Sequence, residues 1–411
     1  MFSKAFGLYR ESFSGLSREI WLLSGVMLIN RAGTMVIPFL SVYLTQQLGF
    51  SLAQTGWVMS SFGAGSVAGS LIGGKLSDRV GFYQVQFWAL LLSGFSFIAL
   101  SLFTSFYAMC LAVFVSTTIA DAFRPANFTA IAAYSRAENR TRAIALLRMA
   151  INLGWAVGPA LGGFLAIHYG YHFLFWADGL TCIAAAIIFR FALPPRFAEE
   201  EEEGGTEEGA VKALPRSVYH DKPYLLFLFL TLLNGLAFMQ LFSAFPVFLK
   251  QEVFLNEGQI GALLALNGLT IGLLEMPLIF ILEKRVPALK IISFGTLLIG
   301  AAFLLFNAFG PWPGIALASM LLLTFGEMFS LPFLSTRAIG FAGRHNRGAY
   351  MSLFSTTYSL SHILAPNIGL QMAGIWGFPA LWYVIAGITV LAALGFQLVY
   401  RRENQRPVGK H

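Results

Sequence analysis

Long apolar blocks alternate with short polar stretches along most of this chain. Many blocks hold roughly 18–25 residues, the length that an α-helix needs to cross a hydrocarbon layer about 30 Å thick. A soluble core cannot use so many helices that are apolar on every face. The pattern therefore predicts an all-α membrane protein with twelve transmembrane helices. These spans are expected at residues 20–46, 52–76, 84–103, 106–133, 143–167, 172–192, 224–249, 258–282, 289–308, 313–340, 348–373 and 378–400.

Composition supports the membrane assignment. Hydrophobic residues make up 57% of the 411 residues and charged residues only 11%, whereas soluble domains keep about a quarter of their residues charged. The net charge of +7 comes from Lys and Arg in the loops between apolar blocks, so it predicts no nucleic-acid partner. Cys110 and Cys182 lie inside apolar blocks, which predicts neither a disulfide nor a metal site or cofactor.

The polar loops fall into two alternating sets. One set is rich in basic residues, namely Lys75, Arg79, Arg136, Arg140, Arg142, Lys284, Arg285, Lys290, Arg344 and Arg347. The other set is nearly free of them, its one exception being Lys250. Because cytoplasmic loops carry the excess of Lys and Arg, both termini and the central loop are predicted to be cytoplasmic. No cleavage site follows the polar segment Met1–Glu19, so this segment is not expected to be a cleaved signal peptide. With its many spans, the chain is expected to be a multi-pass protein of the cell (inner or plasma) membrane.

Residues 193–222 differ in kind from the rest of the chain. They contain the acidic run Glu199–Glu203, which cannot bury enough apolar surface to fold. This segment is predicted to be a cytoplasmic linker between an N-terminal six-helix bundle at 1–192 and a C-terminal one at 223–411. A shift of 207 residues supports the division, since it superposes Pro125 on Pro332, Arg140 on Arg347, Pro159 on Pro366 and Gly162 on Gly369. Parallel six-span repeats with a substrate site between them are a known plan of membrane transporters.

The predicted turn after the second span carries a specific motif. Residues 74–81 read Gly-Lys-Leu-Ser-Asp-Arg-Val-Gly, and the matching positions are Gly74, Leu76, Asp78, Arg79 and Gly81. The motif resembles the loop signature of the major facilitator superfamily, although Phe82 and Tyr83 replace the basic pair that usually follows. The resemblance implies the major facilitator fold of two pseudo-symmetric bundles. It also implies a conformational latch between Asp78 and the N-terminus of the eleventh span, where the helix dipole favours an anion.

The fifth span carries a second motif, at Gly154, Gly158, Pro159, Gly162 and Gly163. It resembles the antiporter signature of the same superfamily, with Ala145 at one upstream glycine position. Small residues at these spacings let helices approach closely, and a proline bends a helix. The resemblance favours antiport, and the structural alternative, close packing against the eighth span, is compatible with any direction of transport.

Ionisable side chains inside the spans are the candidate functional residues. A charge at the bilayer centre costs roughly 2.5–3.5 kcal/mol, so such groups are expected to face a cavity or one another. Glu327, Asp121 and His362 are candidates for proton coupling. Glu327 lies in a Gly-Glu segment that resembles one in bacterial drug:proton antiporters and in the peptide symporters. Candidates for a substrate cavity are Asn30, Arg31, Arg124, Asp178, Asn234 and Gln240. Arg31 and Asp121 have opposite charges at similar depth, so an ion pair between them is an alternative role for both.

Together these features predict a proton-coupled secondary active transporter that works by alternating access and exports small amphiphilic or drug-like compounds as an antiporter. The alternative is a proton-coupled symporter that imports a peptide, a sugar or an organic anion. The expected partners are the small-molecule substrate, protons and membrane lipid, and the chain is expected to be a monomer. An intramembrane enzyme is disfavoured, because His168 and His172 have no third ligand nearby. A receptor or scaffold is disfavoured by the embedded charges.

Overall fold

The computed structural model describes residues 15–136, 139–195, 218–341 and 347–405. The predicted acidic run therefore lies outside the described residues. Within them the chain is helical and contains no strand. Up to Ala192 the helices are α1 (Arg18–Ala32), α2 (Val36–Val42), a π-helical turn (Tyr43–Gln47), α3 (Leu52–Val80), α4 (Phe82–Leu100), α5 (Phe106–Asp121), α6 (Phe123–Tyr134), α7 (Arg140–Tyr169) and α8 (His172–Ala192).

The second part of the chain follows the same plan. Its elements are a 3₁₀ turn (Val218–His220), α9 (Lys222–Phe238), a 3₁₀ turn (Met239–Phe242), α10 (Ala244–Gln251), α11 (Glu257–Glu283), α12 (Ala288–Phe309), α13 (Pro313–Phe341) and α14 (Arg347–Gln405). The last of these is two helices, because Gly377 breaks it with φ 82° and ψ 161°. A positive φ of this size is open to glycine at little cost.

The predicted spans are all present as helices. Ten described segments are long and apolar enough to cross a membrane. One of these, Tyr350–Arg402, holds the eleventh and twelfth predicted spans on either side of Gly377. The second predicted span is α3, a helix of 29 residues that is rich in Gly and Ser and is not among the ten.

The described residues form two compact units. The first consists of the described residues within 1–40, 61–204 and 257–272, and the second of those within 41–60, 205–256 and 273–411. The start of α11 joins the first unit because its glycines approach α7 closely. The division into bundles at 1–192 and 223–411 stays a prediction.

Each unit has its own apolar core and contains a helix whose start is capped by a side chain. In the first unit the Ser17 hydroxyl accepts the Ile20 N–H at 3.3 Å and donates to the Tyr134 carbonyl at 2.7 Å. In the second unit the Asp221 carboxylate accepts the Tyr224 N–H at 3.2 Å. Such caps satisfy donors that a helix start leaves unpaired. The cap residues thereby fix where α1 and α9 begin.

Two spans of the first unit are interrupted, and these interruptions position the candidate site. The first span breaks between α1 and α2, and the fourth breaks at Ala122 between α5 and α6. Pro125 lies in the first turn of α6, where its missing N–H removes no helical hydrogen bond. Arg31 and Asp121 lie in the last turns of α1 and α5, directly before the two breaks.

Candidate functional site

A pocket in the first unit has a cavity volume of about 50 Å³. Four of the predicted site residues line it, namely Asn30, Arg31, Asp121 and Asp178. Phe62, Phe97 and Phe123 add aromatic walls. The pocket therefore combines charged groups of both signs with apolar surface.

Arg31 has no side-chain hydrogen bond or ion pair within the described part of the chain, and its Nε is buried. Its electrostatic surroundings include Asp121, which attracts it, and Arg124, which repels it. The ion pair that the sequence offered as an alternative for Arg31 and Asp121 is thus not formed as a contact. A guanidinium offers five donors in a planar fork, which suits a carboxylate or phosphate.

Asp121 instead contacts two other residues. Arg124 Nη2 lies 3.2 Å from Asp121 Oδ2, and the Ser66 hydroxyl donates to the same oxygen. The spacing of three residues places Asp121 and Arg124 on one helical face. The Arg124 side chain is 54% exposed and that of Asp121 is 16% exposed. Arg124 does not line the pocket itself, but it contacts Asp121 and repels Arg31, which both line it.

Asp178 is almost fully buried and closes the break in the first span. Its Oδ1 accepts the Met35 N–H at 3.1 Å, and its Oδ2 accepts the Val36 N–H at 2.9 Å. The Val36 N–H would otherwise be left unpaired at the start of α2, whereas the Met35 N–H also donates to the Gly33 carbonyl at 2.7 Å. Asp178 lines the pocket as predicted, but its contacts are those of a helix cap.

Asn30 and Cys182 meet across the pocket wall. The Asn30 amide donates to Cys182 Sγ at 3.4 Å. Cys182 is buried.

Asn234 and Gln240 belong to the second unit, where both are buried between helices. The Asn234 amide donates to Thr296 Oγ1 at 2.8 Å. Gln240 Nε2 donates to the carbonyls of Leu236 at 3.1 Å and Ala365 at 3.0 Å. Neither residue lines the pocket of the first unit, so their role in a substrate cavity stays a prediction.

Glu327 and His362, the other candidates for proton coupling, are half-buried on α13 and α14 of the second unit. His362 Nδ1 lies 2.9 Å from the Tyr358 carbonyl, so that nitrogen carries the proton. Glu327 interacts electrostatically with Tyr358. Tyr358 is thus a shared neighbour of the predicted carboxyl and the predicted imidazole.

The predicted latch lies at the turn from α3 to α4. Gly81 connects the two helices with φ 86°, a conformation that favours glycine. Asp78 and Arg79 are exposed and make no hydrogen bond or ion pair with the described residues. Gly74 has open space around it, so nothing in the structure explains the absence of a side chain there.

The glycines of the fifth-span motif lie on two faces of α7, and each face packs against a different span. On one face, a Cβ at Gly163 would lie 2.4 Å from the Glu257 carbonyl oxygen, and a Cβ at Gly261 would lie 2.3 Å from that of Pro159. This is the predicted close packing against the eighth span. The other face contacts the first span through Gly154, Gly158 and Gly162, a contact that the sequence analysis missed.

Sequence reasoning also missed two hydrogen bonds to carboxylates, which are donated by the uncharged residues Ser66 and Tyr171. Ser66 is one of many small polar residues in the second span, and no spacing distinguishes it. Tyr171 lies in the turn between α7 and α8 and donates to Glu257 Oε1 at 2.6 Å. Burial and this hydrogen bond to a carboxylate raise the pKa of Tyr171 above its ordinary value. Sequence proximity gives no signal for a pair 86 residues apart.

The spans, the interrupted helices and the charged pocket are those of a multi-pass membrane transporter. The sequence profile of the Major Facilitator Superfamily matches residues 22–366 and 227–411, and the chain belongs to this family. The matches and the fold are those of transporters and not of enzymes.

Three comparisons illustrate the relationship. The chain is 26% identical to a Na(+), Li(+), K(+)/H(+) antiporter of Planococcus maritimus, over 94% of this chain and 96% of the relative. It is 25% identical to a putative sugar efflux transporter of Deinococcus radiodurans, over 93% and 98% of the two chains. The crystal structure of a peptide transporter POT in complex with sulfate matches with a TM-score of 0.80 at 16% identity, covering 95% and 96% of the chains. The last similarity concerns the fold alone.

Proposed function

We propose that this chain is a proton-coupled antiporter that exports small amphiphilic compounds by alternating access. The pocket of the first unit is the observation that carries the proposal. It sets the guanidinium of Arg31 and the carboxylate of Asp121 beside three phenylalanines. An amphiphile has an apolar body and a polar or charged group, and this pocket offers a surface for each. The similarity to an antiporter supports the direction of exchange.

Proton coupling is assigned to Glu327, with His362 and Asp121 as the further candidates. A carboxyl that binds a proton on one side of the membrane and releases it on the other gains about 2.3 kcal/mol per 100 mV of membrane potential. That free energy biases an equilibrium between conformations that differ by a few kcal/mol. Tyr358 is a neighbour of both residues, since its backbone carbonyl accepts the His362 Nδ1 hydrogen bond and its phenol interacts electrostatically with Glu327.

The test compares Glu327→Gln with Glu283→Gln, which changes an exposed glutamate at the end of α11. The purified proteins are placed in proteoliposomes with a set pH gradient. Glu327→Gln should abolish concentrative transport of an amphiphilic dye such as ethidium and retain exchange at equal concentrations, which needs no net proton movement. Glu283→Gln should keep both activities. If Glu327→Gln still concentrates the dye with a normal dependence on pH, the coupling role passes to Asp121.

The same liposomes test the direction of transport. In an antiporter the dye moves against the proton flux, and in the alternative symporter it moves with the proton flux. If the dye accumulates on the side to which the protons flow, the protein is a symporter that imports its cargo, and the proposed export is wrong.

Exchange of monovalent cations for protons is a second candidate function. The similarity to a Na(+), Li(+), K(+)/H(+) antiporter and the Asp121 carboxylate in the pocket favour it. Liposomes loaded with a pH-sensitive dye would report proton release after pulses of NaCl, LiCl or KCl. A response to these salts that Asp121→Asn removes, without transport of ethidium, would establish cations as the cargo.

The latch is proposed to act on the conformational step rather than on binding. Asp78→Asn should slow transport while leaving the dissociation constant of ethidium unchanged. Lys75→Gln, on the same exposed turn, is the matched control. Equal loss of binding and transport in Asp78→Asn would contradict the latch.

A further inference from the structure

The position of Arg31 in the pocket is imposed by backbone packing. Within the described residues its side chain has neither an ion pair nor a hydrogen bond that could hold it. Its Nε is buried without an acceptor, which is unfavourable, so no favourable contact of the side chain itself holds the guanidinium in place. The residues that fix the Arg31 Cα therefore decide where the guanidinium stands.

Gly154 of α7 packs closely on Arg31. A Cβ at Gly154 would lie 2.4 Å from Arg31 Cβ, 2.9 Å from the Ala32 nitrogen and 2.9 Å from the Arg31 carbonyl carbon. Cβ atoms essentially never come closer than 3.0 Å to another heavy atom. Two of the three neighbours are backbone atoms, which cannot move without moving the last turn of α1.

Gly158 continues this contact one turn further along α7. A Cβ there would lie 2.9 Å from the Thr34 carbonyl oxygen and 3.2 Å from that of Arg31. The two glycines are four residues apart and so share one helical face. That face meets the turn on which Arg31 stands.

Gly163 lies on the other face of α7, where its nearest neighbour is the Glu257 carbonyl oxygen at 2.4 Å. The motif therefore contains two separable functions. Gly163 packs α7 on α11, and Gly154 packs α7 on α1.

We infer that Gly154 is a positioning residue for the pocket: it lets α7 approach α1 closely enough that the Arg31 guanidinium stands where the anionic group of a cargo binds. The part about cargo rests on the proposed function. The placement of Arg31 does not rest on it. An added methyl group at Gly154 should push the last turn of α1 away and displace the guanidinium.

The first experiment needs no cargo. The purified protein is treated with phenylglyoxal, and the modification rate of Arg31 is measured by mass spectrometry of its peptide. Gly154→Ala should change that rate severalfold. Gly163→Ala introduces an equally tight contact on the opposite face and should leave the rate unchanged. Gly25→Ala lies in α1 itself with open space around it and should also leave the rate unchanged.

Gly158→Ala keeps the experiment decisive if Gly154→Ala fails to fold. Its closest contact is longer, so a smaller change of the Arg31 rate in the same direction is expected. Equal rates in wild type and in every glycine variant that folds would overturn the inference. So would a change in Gly163→Ala as large as that in Gly154→Ala or Gly158→Ala.

The second experiment asks whether the position matters for binding. Fluorescein serves as an aromatic anion and ethidium as an aromatic cation. Gly154→Ala and Arg31→Gln should each weaken fluorescein binding by about tenfold, as expected for loss of one charged contact, and leave ethidium binding unchanged. The double variant should bind fluorescein no more weakly than Arg31→Gln, because Gly154 acts through Arg31. In transport, the KM for fluorescein should rise in Gly154→Ala while the maximal rate is retained.

The two experiments fail in different ways. If wild type binds neither dye, the proposed class of cargo is wrong, and the phenylglyoxal rates still decide the role of Gly154. If wild type binds fluorescein and Gly154→Ala weakens both dyes equally, the residue is structural only and the inference is overturned.

Discussion

The first and seventh spans are both interrupted, but different chemistry stabilises the two breaks. In the first span, the carboxylate of Asp178 accepts the N–H groups of Met35 and Val36. In the seventh span, the chain passes through the 3₁₀ turn Met239–Phe242. There the amide of Gln240 donates to the Ala365 carbonyl at 3.0 Å.

The sequence repeat makes this difference meaningful. A shift of 207 residues places Phe238 at the position of Arg31 and Ile385 at that of Asp178. Gly162 and Gly369 are also equivalent, and each packs on the interrupted span of its own unit. The backbone device is thus duplicated, while the charges at the break occur in the first unit only. The two units therefore share the bend in their first span, whereas the polar groups at the bend differ between them.

The largest expected effect is on stability, and it compares the charged side chain Asp178 at the first break with the neutral side chain Gln240 at the second. Asp178→Ala leaves the Val36 N–H without an acceptor, whereas the Met35 N–H keeps the Gly33 carbonyl at 2.7 Å. Because both lost bonds are to a charged group, the free energy of unfolding should fall by about 2–6 kcal/mol. Gln240→Ala should cost only about 0.5–1.5 kcal/mol for each bond lost, because its bonds are between neutral groups. Thermal unfolding in detergent, followed by tryptophan fluorescence, measures both, with exposed Asp78→Ala as the control. A cost for Gln240→Ala that matches Asp178→Ala would remove the distinction.

The second prediction concerns the equivalent glycines. A Cβ at Gly369 would lie 2.1 Å from Gln240 Oε1, whereas one at Gly162 would lie 3.1 Å from its nearest neighbours. Gly369→Ala should therefore cost about 1–3 kcal/mol by overpacking, and Gly162→Ala less. Gly272→Ala has open space and serves as the control.

The loss of unfolding free energy caused by Gly369→Ala should also depend on the neighbouring side chain of Gln240. In the Gln240→Ala background the clashing side chain is gone, so Gly369→Ala should cost much less in the same unfolding assay. Full additivity of the two substitutions would show that the clash is relieved elsewhere.

The smallest expected effect tests which arginine Asp121 pairs with. A double-mutant cycle of Asp121→Asn with Arg124→Gln should give a coupling of about 0.2–1 kcal/mol, because the Arg124 side chain is largely exposed. The cycle with Arg31→Gln should give a smaller coupling, because that pair makes no ionic contact. A larger coupling for Arg31 would restore the ion pair that the sequence offered.

Several features of this protein follow from the sequence alone. The thickness of a bilayer sets the length of an apolar helix, so the spans can be counted from the blocks of apolar residues. Helical periodicity places Gly154, Gly158 and Gly162 on one face, whatever that face contacts. The loop motif and the glycine motif indicate the family, and the family comparison confirms it.

The tertiary structure decided which of the predicted polar residues meet. Asp178 caps a helix start 142 residues away, and Asp121 contacts Ser66 across 55 residues. Such contacts depend on how helices cross and rotate, and local periodicity gives no information about either. For the same reason Asn234 and Gln240, which have the same polar character as Asn30, lie buried between helices of the second unit. An isolated helix sets the order of its side chains, but only its packing partners determine which of them face a pocket and which satisfy a neighbouring backbone.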